Sequence, residues 1–361
     1  MISCFFLPVR RRSGASRNSI KKVAYLRHTM PRPAGYGVLA WNLLLRLLKR
    51  GWRRFVRPGD IVEVRPPDEI LATLDANGTL HGLPFMPEMV EFCGKRFRVS
   101  RRVLKTCMSG SGPSTMKGID RDDVVILDNL RCSGASHDGC QKQCMIFWRE
   151  AWLRKSQDDR QSGQFDPEGV QRLRTRLKTL ARPQTYFCQA SEFLQFTKPF
   201  ARSKRFVTCF DDVRYGNCTA TRMLHRIGIW LFWRLRKIVM GEYARGPNTK
   251  TPSGTVKLVE GETVQVKSLQ EIVLTTNERA HNRGLYFSPD MALLCGREAR
   301  VKTHLDKIIV DGTGEMRQLK DTVYLEGSMC GCAHVAFGGC PRGEFAYWRE
   351  IWLRRPANSS G

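Results

Sequence analysis

Hydrophobic and polar residues alternate in short runs from Gly59 to about Val103. Ile61, Val62 and Val64 open a strand, Asp75-Ala76-Asn77-Gly78 has the composition of a tight turn, and Phe97-Arg98-Val99 alternates as a half-buried strand does. After Cys107 comes a Gly/Ser/Thr-rich loop, and then Val124-Val125-Ile126-Leu127 reads as a further strand. Short strands and tight turns in this density predict a small barrel of the SH3-like kind. A cysteine loop follows, and the unit closes on Trp148-Arg149-Glu150-Ala151-Trp152-Leu153-Arg154. The i, i+4 spacing of Trp148 and Trp152 predicts a helix with both indoles on its core face and Glu150 within reach of Arg154.

The same pattern returns about 200 residues later. Gly59-Asp60-Ile61-Val62-Glu63-Val64 is answered by Gly261-Glu262-Thr263-Val264-Gln265-Val266, and Cys93-Gly94 by Cys295-Gly296. The Trp segment is answered by Trp348-Arg349-Glu350-Ile351-Trp352-Leu353-Arg354. So long a period means two copies of one domain rather than a solenoid, whose repeats run to about 20–50 residues. The fold class expected is therefore α+β: a tandem duplication of a small β-rich, SH3-like domain, each copy with a cysteine loop and a C-terminal Trp helix.

An apolar run studded with Arg46, Lys49 and Arg50 fills Gly37 to Phe55, and Ile227 to Tyr243 stands in the same place before the second copy. Neither is apolar enough to span a membrane. Packing on the neighbouring domain is the expected role, with a basic amphipathic helix on a membrane surface as the alternative. The boundaries read as a disordered basic leader at 1–35, repeat 1 at 36–155, a linker at 156–225, repeat 2 at 226–356 and a tail at 357–361. Within the linker Asp166-Pro167-Glu168 is a helix start, followed by an apolar stripe of Val170, Leu173, Leu177 and Leu180.

Charge narrows the partners. Lys and Arg number 60 against 34 acids, a net +26, and the 14 that precede Asp60 meet no acid at all. The balance favours an anionic partner: an acidic protein, nucleic acid or an anionic membrane surface. The start MISCFFLPVRRR reverses the order of a secretory signal, and Met30 is an alternative start. A bacterial cytosolic chain, peripheral to a membrane at most, is the expected setting, and there the 13 cysteines read as metal ligands or thiols before disulfides.

Cys93, Cys107, Cys132, Cys140 and Cys144 crowd into the first copy. Placed at the start of the Trp helix, Cys140 and Cys144 would gain thiolate character from its positive end. Two such ligands and two from preceding loops would build a tetrahedral zinc site or hold an iron–sulfur cluster. Cys295, Cys330, Cys332 and Cys340 are the ligand set of the second copy, in which Cys332 matches Cys132, Cys330 is an addition, Glu344 replaces Cys144 and Cys107 has no counterpart near Ile309. Inert buried thiols and redox or catalytic thiols are the alternatives. His137 reads as an ordinary loop histidine rather than a ligand.

No nucleophile elbow, P-loop, H-E-x-x-H or dinucleotide fingerprint occurs. Glu88 in FMPEM becomes Asp290 in FSPDM, and capping the turn or pairing with Arg96 or Arg98 is the expected role of this carboxylate.

The segments Pro87 to Val99 (PEMVEFCGKRFRV) and Gly139 to Leu153 (GCQKQCMIFWREAWL), together with TYFCQASEF at Thr185 to Phe193, resemble a group of bacterial proteins from biosynthetic and accessory gene neighbourhoods. The resemblance covers about half the chain and implies no particular activity. The expected function is a metal-binding accessory or scaffold protein. A nucleic-acid binder and a thiol- or cluster-dependent enzyme are the other classes.

Overall fold

The computed structural model describes residues 55–108, 115–155, 166–200, 204–330 and 342–356; all but Phe55 belong to one compact unit that begins at Val56. The leader, most of the Gly37–Phe55 run and the alternative start lie outside the described residues.

Two antiparallel sheets of identical topology organise this unit. In the first copy the strands are β1 (Ile61–Val64), β2 (Arg96–Arg102), β3 (Lys105–Met108), β4 (Thr115–Ile119), β5 (Val124–Arg131), β6 (Met145–Arg149) and β7 (Leu153–Lys155), and a five-stranded sheet runs β6-β5-β2-β1-β7. After β8 (Thr197–Pro199), the second copy supplies β9 (Thr263–Val266), β10 (Glu298–His304), β11 (Lys307–Ile309), β12 (Met316–Gln318), β13 (Thr322–Met329), β14 (Phe345–Arg349) and β15 (Leu353–Arg354), with the order β14-β13-β10-β9-β15. Register breaks at Val99/Arg101 and Ile126/Arg131 recur at Val301/Thr303 and Tyr324/Met329. An irregularity of this kind bends a strand and increases its twist. Each sheet is accordingly a curled half-barrel in a mixed α+β fold.

The Trp segment is not a helix. Strand β6 ends at Arg149, a single 3-10 turn takes Glu150–Trp152, and β7 begins at Leu153, with the same sequence of elements at Phe345–Arg354. The turn between two strands, rather than a helical face, delivers both indoles of a copy to the core. Trp148, Trp152, Trp348 and Trp352 are fully buried, as expected of them. Phe85 meets Trp152 edge-on at 5.1 Å and Phe287 meets Trp352 at 5.2 Å, while the indole N–H groups donate to Thr73 and Thr275. Glu150 does not pair with Arg154. It accepts from the Val56 amide at 3.1 Å and pairs with Arg102, whereas Arg154 pairs with Glu63. Glu350 likewise holds the amides of Lys257 and Leu258, so this glutamate ties down the chain entering each sheet.

Residues between the copies add to the first core. Asp166 caps a helix at Pro167–Arg176 by accepting from the Glu168 and Gly169 amides, and Leu173 of that helix is buried. Cys188, Ala190, Phe193 and Phe196 are buried in the same cluster as Val62, Phe85 and Trp148. Further on, Lys204–Arg214 and Ala220–Met240 are helical. Among the described residues no helix is long and apolar enough to cross a membrane.

Candidate metal centre

The cysteine loop of the first copy is a closed excursion between β5 and β6. Its neck is the hydrogen bond from the Cys132 amide to the Cys144 carbonyl, 2.8 Å. Inside, the amides of His137 and Gly139 both donate to the Gly134 carbonyl at 3.0 Å, and the Cys140 amide donates to the His137 carbonyl at 3.1 Å. Gly134 has φ +72°, and a Cβ there would lie 2.0 Å from the Cys140 carbonyl oxygen, so glycine alone fits. Cys140 and Cys144 therefore sit on a coiled loop, without the helix end that was expected to favour their thiolates.

Four thiol side chains line one cavity of about 20 Å³, Cys132, Cys140, Cys144 and Cys188, with His137 and Lys142 beside them. That volume suits one ion or one water. Cys188 comes from the segment between the copies and is fixed by its neighbour. The Gln189 amide nitrogen donates to the Phe147 carbonyl at 2.9 Å and to the Pro84 carbonyl at 3.0 Å, and its oxygen accepts the Phe147 amide at 2.8 Å, so a side chain does the work of a paired strand. Among the described residues the trio with ligand atoms already within 4.8 Å of one another is Glu88, Cys132 and His137.

Glu88 pairs with His137 rather than with Arg96 or Arg98. Oε1 lies 2.8 Å from Nδ1, and the other ring nitrogen is 3.0 Å from the Phe187 carbonyl. A carbonyl can only accept, so Nε2 carries a proton, and with Glu88 ionised Nδ1 carries one too. Burial pulls the His137 pKa down, but Glu88 more than offsets it and the histidine ends above its ordinary value; burial raises Glu88, and His137 brings it below its own. Glu88 Oε2 is buried without a hydrogen-bond partner. Burial also raises the thiols: Cys188 to about 11, Cys144 to about 12 despite Lys142 and Arg342, and Cys132 well above the ordinary thiol value.

The second copy closes the site. Gln141 of the loop accepts from the amides of Asp306 (2.6 Å) and Lys307 (3.1 Å) and donates to the His304 carbonyl, while the Ile309 amide donates to the Cys140 sulfur at 3.3 Å. Beneath lies a buried charge cluster. Lys142 and Arg342, equivalent positions of the two copies, converge on Asp311, which Arg342 holds in bidentate fashion at 2.7 and 3.0 Å; Arg342 also reaches Glu344 at 2.9 Å. Burial alone would raise the Asp311 carboxyl, but Arg342 and Lys142 hold it well below the ordinary carboxylate range.

The remaining cysteines of the expected set are elsewhere. Cys93 is buried in the first core, its thiol pushed up to about 12 by burial, and does not line the cavity. Cys107 packs with Met116 and Cys330, and Cys295 lies against the second core. Arg131 pairs with Met145 as Met329 pairs with Phe345, and the Cys330 amide donates to Glu344 as Cys132 does to Cys144. Cys330, not Cys332, thus occupies the place of Cys132. Cys332 and Cys340 lie outside the described residues. Cys188 was missed because it belongs to the segment between the copies; its flanking Phe187 and Phe193 were the signal that this segment enters a core.

Comparison with protein-family models, with curated proteins and with solved structures finds no match for the chain.

Proposed function

We propose that this chain is a metal-binding accessory or scaffold protein in which Cys132, Cys140, Cys144 and Cys188 hold one zinc ion. The observation that carries this reading is the convergence of four thiols, from the cysteine loop and from the segment between the copies, on a cavity of about 20 Å³. Such a volume suits a single ion better than an iron–sulfur cluster. Capture draws the sulfurs inward to about 2.3 Å from the metal, since the cysteines line the cavity without yet meeting in it. Four thiolates around a divalent ion leave an excess of negative charge, and the buried cations His137 and Lys142 stand beside it to offset that. Glu88 orients His137 from behind, the usual part of an outer partner.

Closed to water by four protein ligands, such a zinc is structural. Its effect is to pin the cysteine loop, the segment bearing Cys188 and the clamp from the second copy into one body. We read the curled sheets as SH3-like barrels that present the binding surface of the scaffold. Metal analysis with an absorption spectrum, on protein purified without oxygen, tests the proposal. Colourless protein with about one zinc per chain supports it, iron and sulfide with visible absorption would replace zinc by a cluster, and protein without metal that also fails to take up added zinc would refute it.

A further inference from the structure

We propose that the helix Ala220–Met240 docks the protein on an anionic lipid surface. Its 21 residues make a rod about 30 Å long. Leu224, Leu231, Phe232, Leu235, Ile238 and Val239 are 48–81% exposed, and among its residues Met223 is the buried one. At 100° per residue these six positions share an arc of about 120°, bounded on its two sides by Arg234 and Arg236. Five cations, Arg222, Arg226, Arg234, Arg236 and Lys237, stand on the helix with no acidic residue from Ala220 to Met240. The Arg234 guanidinium lies over Trp230 at 5.5 Å and that of Arg236 over Trp233 at 5.5 Å, while Trp233 meets Tyr243 edge-on at 5.0 Å, so the two indoles stand behind the arginines on the side of the helix away from the exposed arc.

An apolar arc edged by arginines is the pattern of a helix lying in the headgroup region, its stripe among acyl chains and its cations on lipid phosphates. The charges that bar it from crossing a bilayer suit it to lying on one. Self-pairing fits less well, because two such helices would set arginine flanks against arginine flanks with no acid on either to answer them. A nucleic acid would answer the cations but leave the aliphatic stripe in water. The lipid chosen on these grounds is an anionic phospholipid.

Co-sedimentation of the full chain with vesicles of phosphatidylcholine alone, and of phosphatidylcholine and phosphatidylglycerol in equal parts, tests this. Binding to the anionic vesicles is expected to be at least about tenfold tighter than to the neutral ones and to weaken with salt. The double variant Phe232→Ser/Leu235→Ser, whose sites are exposed, is expected to keep its thermal midpoint and lose binding about tenfold. Equal binding to both vesicles, no binding at all, or full retention by the double variant (binding by the basic leader instead) would overturn the proposal. So would a dimer in solution that the double variant converts to monomer.

Discussion

The backbone amide of Ile309 donates to the sulfur of Cys140 at 3.3 Å, so a residue of the second copy reaches the cysteine loop of the first. Gln141, next to Cys140, ties the same loop to Asp306 and Lys307. Gln141→Ala should therefore weaken metal binding although it removes no ligand, by about 10- to 100-fold as outer partners do. A competition titration against a chelator checks this; unchanged affinity would mean that the copies meet without supporting the site.

Cys188 and Cys93 are both buried thiols of the first core, but Cys188 alone of the two lines the cavity. Cys188→Ser should cost most of the bound metal, and Cys93→Ser should leave the stoichiometry unchanged. Equal losses from the two would place the metal elsewhere.

Raised thiols make binding pH-dependent. Burial holds Cys144 near 12 and Cys188 near 11, so in neutral solution both are protonated before metal enters and must release those protons. Affinity should fall as pH falls from 8 to 6, by about tenfold per pH unit for each thiolate formed. Zinc added to weakly buffered protein with a pH indicator should release several protons per ion, whereas a site of neutral ligands would release none.

Asp311 is the acceptor shared by Lys142 and Arg342. Asp311→Asn leaves those two buried cations with Glu344, a loss of about 3–5 kcal/mol of stability. Because its folded pKa lies below the ordinary 3.8, the carboxylate contributes fully above that value and its contribution is lost as pH falls through the folded one. Denaturant midpoints should show the variant and the parent converging in strong acid and fully separated by about pH 4 and above.

Gln189 satisfies Phe147 and Pro84 in the core. Gln189→Ala orphans these groups at about 1–3 kcal/mol each. Thermal unfolding should show the loss, and added zinc should recover only part of it.

The strands at Ile61, Phe97 and Val124, the duplication and the buried tryptophans were legible because alternation and repetition are local properties of a sequence. The Trp segment was misread because i, i+4 spacing is also produced by strand, 3-10 turn and strand, and periodicity cannot tell these apart. Cys132, Cys140 and Cys144 were legible as a cluster, whereas Cys188 joins them from beyond the repeat. The Glu88–His137 pair was hidden for another reason: both lie in the first copy, but 49 positions apart in sequence, and the folding of the strands between them brings the two together. Two extra residues in the second cysteine loop, between the places of Cys132 and Cys144, concealed the match of Cys330 to Cys132.

Cobalt substitution decides whether the four cysteines share one ion, because the absorption of tetrahedral cobalt reports how many thiolates surround it. The expected spectrum is that of one cobalt per chain in a tetrahedral, four-thiolate field, reduced by one thiolate or abolished in Cys188→Ser. A weak octahedral spectrum, or a four-thiolate spectrum that Cys188→Ser leaves intact, would contradict it.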